Sequence, residues 1–396
     1  MSFLLLEPAL GLMLLAAADV RTAPATFHRD VLPILQNRCQ TCHRPGEIGP
    51  MPLETYAQTR PWARSIREAV LLKRMPPWHA DPRHGKFVND LSLTPAEIQT
   101  LAAWADAGAP EGSAAEAPPP RRFADGWRIP KPDAVFEMPA DFHVPASGTL
   151  DYQYFAVPTG FTEDRWVEMA EVRPSNRAVV HHAIVTVRAP SDGGWYRGQY
   201  LAGFAPGMSP QIWKPGQARL VPAGSYLAFQ LHYTANGKAG VDRTRVGLVF
   251  AKRPPESRIL AMRASHHWLS IPAGAADYRV EASTTLSEPV SLVAMRAHMH
   301  LRGKSFEFRA VYPTGETQIL LRIPRYDFNW QPYYYLAEPI SLPAGTRIEG
   351  TAHYDNSANN PRNPDPTVEV NWGEQSWEEM MIGWFDVAVP VARRPL

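Results

Sequence analysis

The sequence predicts a helical N-terminal domain followed by two tandem antiparallel β-sandwiches, jelly-roll-like in build. Three observations lead there. Residues 26–112 carry apolar side chains three to four apart, the spacing of a helix face. From about residue 134 the pattern becomes short alternating runs, such as RAVVHHAIVTV, YLAFQLHY and RVGLVF, broken by Pro-Gly, Ala-Gly and Asn-Gly. Proline supplies 40 of 396 residues, about twice its usual ~5%. It breaks long helices and suits strand edges and turns, so a chain helical throughout is excluded.

The composition narrows the function. Lys and Arg number 40 against 39 Asp and Glu, a net charge of +1, so no field of one sign exists to hold nucleic acid or an anionic membrane. The 2 cysteines stand three apart. That excludes a disulfide-stapled fold and a four-cysteine zinc or iron–sulfur site.

Taken in chain order, residues 1–25 read as a secretory signal peptide. The apolar run Ala9 to Ala18 is too short for a bilayer span, and cleavage would follow Ala18 or the Ala23-Pro24-Ala25 triplet. No Lys or Arg precedes the run, which leaves a buried terminal helix as the alternative. After processing no membrane span is expected, and the expected location is periplasmic or secreted. Within 26–112, VLPILQNRC, TRPWARSIREAVLLKR and TPAEIQTLAAWADAG are the helices. Thr94-Pro95-Ala96-Glu97 opens the last of them with a capping threonine, a first-turn proline and a glutamate three after the cap, and Gly108 stops it. Residues 113–133 are rich in Ala and Pro and read as a linker. The first sandwich spans 134–255 and the second 256–396, with KRPPES (252–257) at the joint.

The two sandwiches echo one another. VPAGSYLAFQLHY places His232 eight residues after Gly224, and LPAGTRIEGTAHY places His353 eight after Gly345. Each has histidines upstream, His181-His182 lying 51 residues before His232 and His298 lying 55 before His353. A duplicated sandwich explains this; chance likeness of two strand-turn-strand pieces is the alternative.

Cys39-Gln40-Thr41-Cys42-His43 is C-x-x-C-H, the attachment spacing of c-type haem. Two thiols a helical turn apart can add to two vinyl groups of one porphyrin, with His43 as axial ligand. A thioredoxin-like motif would need a βαβ setting, and zinc a second thiol pair. Met75, 32 residues after His43 in RMPPWH, is the sixth-ligand candidate, with Met51 and His79 as alternatives. The segment resembles small bacterial cytochrome c domains through CQTCH, PGEIGPMPL, MPPWHAD and LTPAEIQTLAAWADAGAP. One covalent haem c, and a periplasmic electron donor for it, are the expectations.

The β region holds the second signal. His298-Met299-His300 is His-x-His, and alternate residues of a strand share a face. Adjacent His181 and His182 would point oppositely in a regular strand, so both reach one ion only where the strand is twisted or bulged. His232 lies in FQLHY with Gln230 on its face, and Met380 lies in WEEMMIG. Two mononuclear sites follow: His181, His182 and His232, then His298, His300 and Met380. Imidazoles suit copper or zinc, and a thioether points to copper(I).

The motifs VVHHAIV, QLHY, RAHMHLRGK and EEMMIGWF, in that order, resemble the copper type II, ascorbate-dependent monooxygenases, which include peptidylglycine α-hydroxylating and dopamine β-monooxygenase. The resemblance implies that His181, His182 and His232 hold an electron-storing copper, and that His298, His300 and Met380 hold the copper that binds O2. It makes Gln230 a link between the centres and Arg296 a grip for a substrate carboxylate. Trp384 and Ile382 stand where the peptide enzymes place tyrosine and asparagine, so the carboxylate clamp is incomplete. The implied activity is a haem c- and dicopper-dependent hydroxylation of a C–H bond in a small organic or peptide-like substrate, with electrons entering through the haem. The alternative is a non-catalytic cytochrome or copper-handling protein. His353 stands as a substitute for Met380 or a structural residue, His266-His267 as surface or packing residues. Phe328-Asn329-Trp330 and Tyr333-Tyr334-Tyr335 either line a pocket or fill the sandwich.

Overall fold

The computed structural model describes residues 24–123, 126–190, 198–205 and 208–391. The segment read as a signal peptide lies outside the described residues, apart from its last two. No described helix is long and apolar enough to cross a membrane.

β-structure dominates. A nine-stranded sheet runs through the body, and its order along the main path is Ala134–Glu137, Arg245–Phe250, Arg165–Arg173, Gln217–Val221, Ser257–Ser265, Ile382–Pro390, Val290–His298 and Tyr334–Leu342. All these pairings are antiparallel except one. Ser257 and Arg258 pair in parallel with Gln217 and Ala218, and that contact joins the two halves into one sheet. Each half is closed by its own four-stranded sheet. In the first the order is Gln153–Pro158, Tyr226–Tyr233, Val180–Arg188, Gln199–Phe204; in the second it is Tyr278–Thr285, Arg347–Tyr354, Gly303–Val311, Thr317–Ile323. The two orders correspond strand for strand. His232 and His353 sit on equivalent strands, as the echo in the sequence has it.

Alternation places a core between each pair of sheets. Val167, Val185, Phe229 and Leu248 fill the first, and Met295, Phe306, Phe308 and Phe385 the second. Phe306, Phe308 and Phe385, each with at most 1% exposure, bury roughly 150–250 Å² apiece. The halves are also tied by a buried ion pair, Arg219 to Asp386 at 2.6 Å.

The expected all-α cytochrome c domain is corrected: none is evident. The α-helices of residues 26–112 are short, Leu32–Arg38, Tyr56–Thr59, Ala63–Leu71 and Pro95–Asp106. The capped start at Thr94 is present, its side chain accepting from the Glu97 amide while Glu97 accepts from the Thr94 amide. Between Leu71 and Pro95, however, Pro76, Pro77 and Pro82 forbid continuous helix. That stretch instead lies along the outer edge of the nine-stranded sheet. Val88 donates its amide to Tyr335 O at 2.9 Å, Ala337 donates to Lys86 O at 2.8 Å, and Phe87 bridges Leu336. A helical periodicity shows that a face is buried; it does not show that the partner is another helix. The linker 113–133 is fastened too: Arg128 donates its amide to Glu171 Oε2 at 2.6 Å, and Glu171 is 1% exposed.

Candidate metal centres

The first centre is built by a strand irregularity. Val180 pairs with Tyr233 and His182 with His232, so His181 has no partner residue and bulges out of the ladder. The bulge turns two consecutive histidines toward one point, the condition their adjacency imposed. Ligand-capable atoms of His181, His182 and His232 all lie within 4.8 Å of one another. The rings meet edge to face, with centroids 5.2 to 5.6 Å apart. Tyr152 packs on His182 and His232 at 5.3 and 4.8 Å. Burial lowers all three imidazole pKa values, His232 to about 4, and neighbouring imidazoles lower His182 and His232 further. The rings are therefore neutral at pH 7, the form that binds metal. Among the described residues, the buried His232 Nδ1 has no hydrogen-bond partner.

The second centre sits where Val290–His298 ends. His298 closes the strand and His300 follows in the turn, with ring centroids 5.1 Å apart. His298 pairs in register with Ile382 of the adjacent strand, and Met380, two residues earlier, is tied to the His300 backbone through Glu379, whose Oε2 accepts from both amides. Met381 is fully buried, its Cε against Gly350 in the second core, whereas Met380 is half-buried. The ring nitrogens are assigned by their neighbours. His298 Nδ1 lies 2.7 Å from Gln331 Oε1, and His300 Nδ1 lies 3.2 Å from Glu378 O. Both Nδ1 atoms thus donate, leaving Nε2 to ligate, and among the described residues the buried His300 Nε2 has no hydrogen-bond partner. Burial pushes His298 down to about 3 and His300 to about 4.

Glu379 holds this centre together and was not a sequence candidate. Its buried carboxylate accepts from the amides of His300 (2.8 Å), Arg302 (2.7 Å) and Met380 (3.2 Å). Burial pushes its pKa up to about 8 against those amides and the Arg302 charge. Tyr326 clamps the middle of His-Met-His, accepting from Met299 N at 3.0 Å and donating to Met299 O at 2.6 Å. Glutamate inside EEMM was the available signal for the first; nothing local marks Tyr326, 27 residues from its partner.

His181 and His182 of the first set and His298 of the second line one cavity of about 40 Å³, together with Arg296, Phe328 and Gln331 among others. Phe328 stacks on His181 at 5.2 Å and 20° and stands edge-on to His300 at 5.9 Å. It is 8% exposed, so it both lines the cavity and fills the sandwich. Arg296 is buried between the rings of Tyr200 and Tyr333, at 5.6 and 5.2 Å, and among the described residues its Nε has no hydrogen-bond partner. Gln230 instead donates to Tyr154 Oη at 2.9 Å, and Tyr154 donates to Glu374 Oε2 at 2.6 Å, a chain between the halves.

The remaining candidates lie elsewhere. His353 Nδ1 is 3.2 Å from Asp277, away from both centres, and His267 packs on Trp372 at 4.3 Å. Although His298 repeats the spacing of His181-His182, it belongs to the nine-stranded sheet and they belong to the four-stranded one. In the N-terminal segment Cys39 caps Leu32–Arg38, and burial pushes its thiol up to about 12 and that of Cys42 upward. His43 Nδ1 lies 3.1 Å from Met51 O, and Met75 is 43% exposed.

No family model matches the chain, and no curated protein does. Among solved structures it is similar to the STIV MCP (9% identity over 65% of this chain and 96% of that one, TM-score 0.30). It is also similar to the major capsid protein P2 of bacteriophage PM2 (7%, 66% and 100%, TM-score 0.28) and to a structure of infectious bursal disease virus, Gx strain (9%, 66% and 73%, TM-score 0.20). None of these comparisons speaks for haem, a cytochrome c or an oxidoreductase. The description of the N-terminal segment as a haem-carrying cytochrome c is corrected with its fold, and an oxidative reading rests on the histidine geometry alone.

Proposed function

We propose that the chain is a copper-dependent monooxygenase, periplasmic or secreted, that uses two mononuclear coppers and O2 to hydroxylate a C–H bond of a small organic or peptide-like molecule. The observation that carries this reading is that His181 and His182 of one imidazole set and His298 of the other, their pKa values held down by burial, line one cavity with the Arg296 guanidinium. His181, His182 and His232 would hold one copper; His298, His300 and Met380 the other. The donor set fits copper, since three imidazoles, and two imidazoles with a thioether, suit its two oxidation states, whereas zinc rarely takes methionine. Bound copper would supply one-electron transfer and activation of O2.

The chain's own residues do the rest. The imidazoles stay neutral because burial holds their pKa values down. Gln331 and the Glu378 carbonyl fix the ring nitrogens of His298 and His300. Arg296 offers the cavity a desolvated cation for an anionic substrate group. Phe328 keeps bulk water from the space between the centres. Electrons come from a donor outside this chain's two centres.

Metal analysis of copper-reconstituted protein tests the reading. Two coppers per chain are expected, falling to one in His298→Ala/His300→Ala. With a reductant present, O2 uptake is expected from the parent and not from Met380→Leu. Full uptake by Met380→Leu, or a parent that retains no copper after desalting, would refute it.

A further inference from the structure

A second cavity, of about 170 Å³, lies between the N-terminal segment and the two sandwiches. Glu47 and Trp78 come to it from the N-terminal segment, Arg128 from the stretch that follows, Arg177 and Phe204 from the first sandwich and Trp330 from the second. Phe204, Ala205 and Met208 also line the cavity of the metal centres, so the two spaces meet at these residues.

The charge around this cavity is unbalanced. Its charged lining residues are Glu47, Arg128 and Arg177, and its other polar ones, Thr41, Cys42, Asn89 and Ser209, are neutral, burial having raised the Cys42 thiol pKa. Glu47 is paired with both Arg44 and Arg177, and Glu171, 1% exposed, with both Arg128 and Arg173. Four guanidiniums against two carboxylates leave a surplus of two positive charges. The groups feel one another: burial lowers the Arg177 pKa, Glu47 raises it, and the charges of Arg173 and Arg128 lower it further. Both lining arginines remain open to a ligand, their side chains 16% and 28% exposed for Arg177 and Arg128. Among the described residues the Arg177 side chain donates through Nη1 alone, to Glu47, and that of Arg128 through Nε to Glu171 and Nη2 to Met208 O. A guanidinium carries five N–H groups, so both keep donors to spare. Aromatic rings complete the walls. Arg177 lies over Phe204 at 5.8 Å, and Trp78 and Trp330 stand in the same lining.

We propose that this cavity is a binding site for an aromatic carboxylate, whose head accepts from Arg128 and Arg177 and whose ring packs among Trp78, Phe204 and Trp330. The planar fork of a guanidinium matches a carboxylate, and aromatic walls favour a flat ring. Glu47 does not bar the anion, because two guanidiniums already hold it. An ammonium would add to the surplus of like charge, and an amide would leave that surplus uncompensated. The site stands independently of the metal centres.

Titration calorimetry on the full metal-free chain tests it with 2-naphthoate, 2-naphthamide, 2-naphthylmethylammonium and acetate. The naphthoate should bind saturably with a Kd below about 1 mM. The amide, the ammonium and the ringless acetate should each bind at least about tenfold more weakly, a difference of about 1.4 kcal/mol. Arg177→Gln should weaken naphthoate at least about tenfold, and so should Ile48→Glu, which sets a carboxylate at an exposed lining position. Should Arg177→Gln fail to fold, Ile48→Glu alone decides. Absence of saturable naphthoate binding, equal binding of any of the other three probes, or naphthoate binding undiminished in either folded variant would overturn the assignment.

Discussion

Glu379 accepts the amide of His300 at 2.8 Å, so a carboxyl group on the segment that carries Met380 fixes the backbone of a histidine 79 residues earlier. The same oxygen also accepts from Met380 N. The two candidate ligand segments of the second centre are thus held by one acidic side chain. Glu379→Gln keeps the shape but turns an N–H donor toward amides that also donate. Copper affinity at the second centre should fall about 10- to 100-fold while the first centre is unchanged. Competition with a copper(I) chelator measures both.

Tyr326 makes two hydrogen bonds to the backbone of Met299, and Tyr326→Phe leaves both backbone groups buried and unpaired. The expected loss is about 1–3 kcal/mol per group, read from urea unfolding. An unchanged midpoint would mean that the His-Met-His turn is held some other way.

The stability of the metal-free protein should depend on pH through the same residues. Burial lowers His298 to about 3 and His232 and His300 to about 4, against 6.5 when exposed. Between those values only the unfolded chain takes up these protons, so this contribution is present above about pH 6.5 and lost as pH falls through the folded values. Glu379 acts in the opposite sense. Its pKa rises from 4.5 to about 8, so its contribution is present below about pH 4.5 and lost as pH rises to about 8. Three histidines outweigh one carboxyl below pH 6.5, and the Tm should peak near there. A Tm that stayed flat between pH 4 and 6.5 would contradict the depressed imidazoles.

Arg219 and Asp386 form a buried pair between the sandwiches, 3% and 1% exposed. Arg219→Met should destabilise the chain by about 3–5 kcal/mol, because it strands a carboxylate. Arg219→Met with Asp386→Leu should recover most of that loss, since the double change removes both charges. Denaturant midpoints of the two variants decide it.

The amino-acid sequence determined what is local. Strand alternation marked both four-stranded sheets, the reciprocal Thr94–Glu97 cap marked its helix, and the pairing of His232 with His353 marked equivalent strands. The grouping of His181 with His182 was conditional on a bulge, which is a property of two strands in register and is written in neither. Tertiary structure alone decided that residues 86–89 would lie on a sheet edge instead of inside an all-α domain, because a periodic apolar face does not specify its partner. It also decided that His181, His182 and His298 line one cavity with Phe328, and that Glu379 and Tyr326 hold the backbone of Met299 and His300. Those contacts join residues far apart in the chain. Their energies come from burial and from unpaired backbone groups that exist only once the sheets have closed.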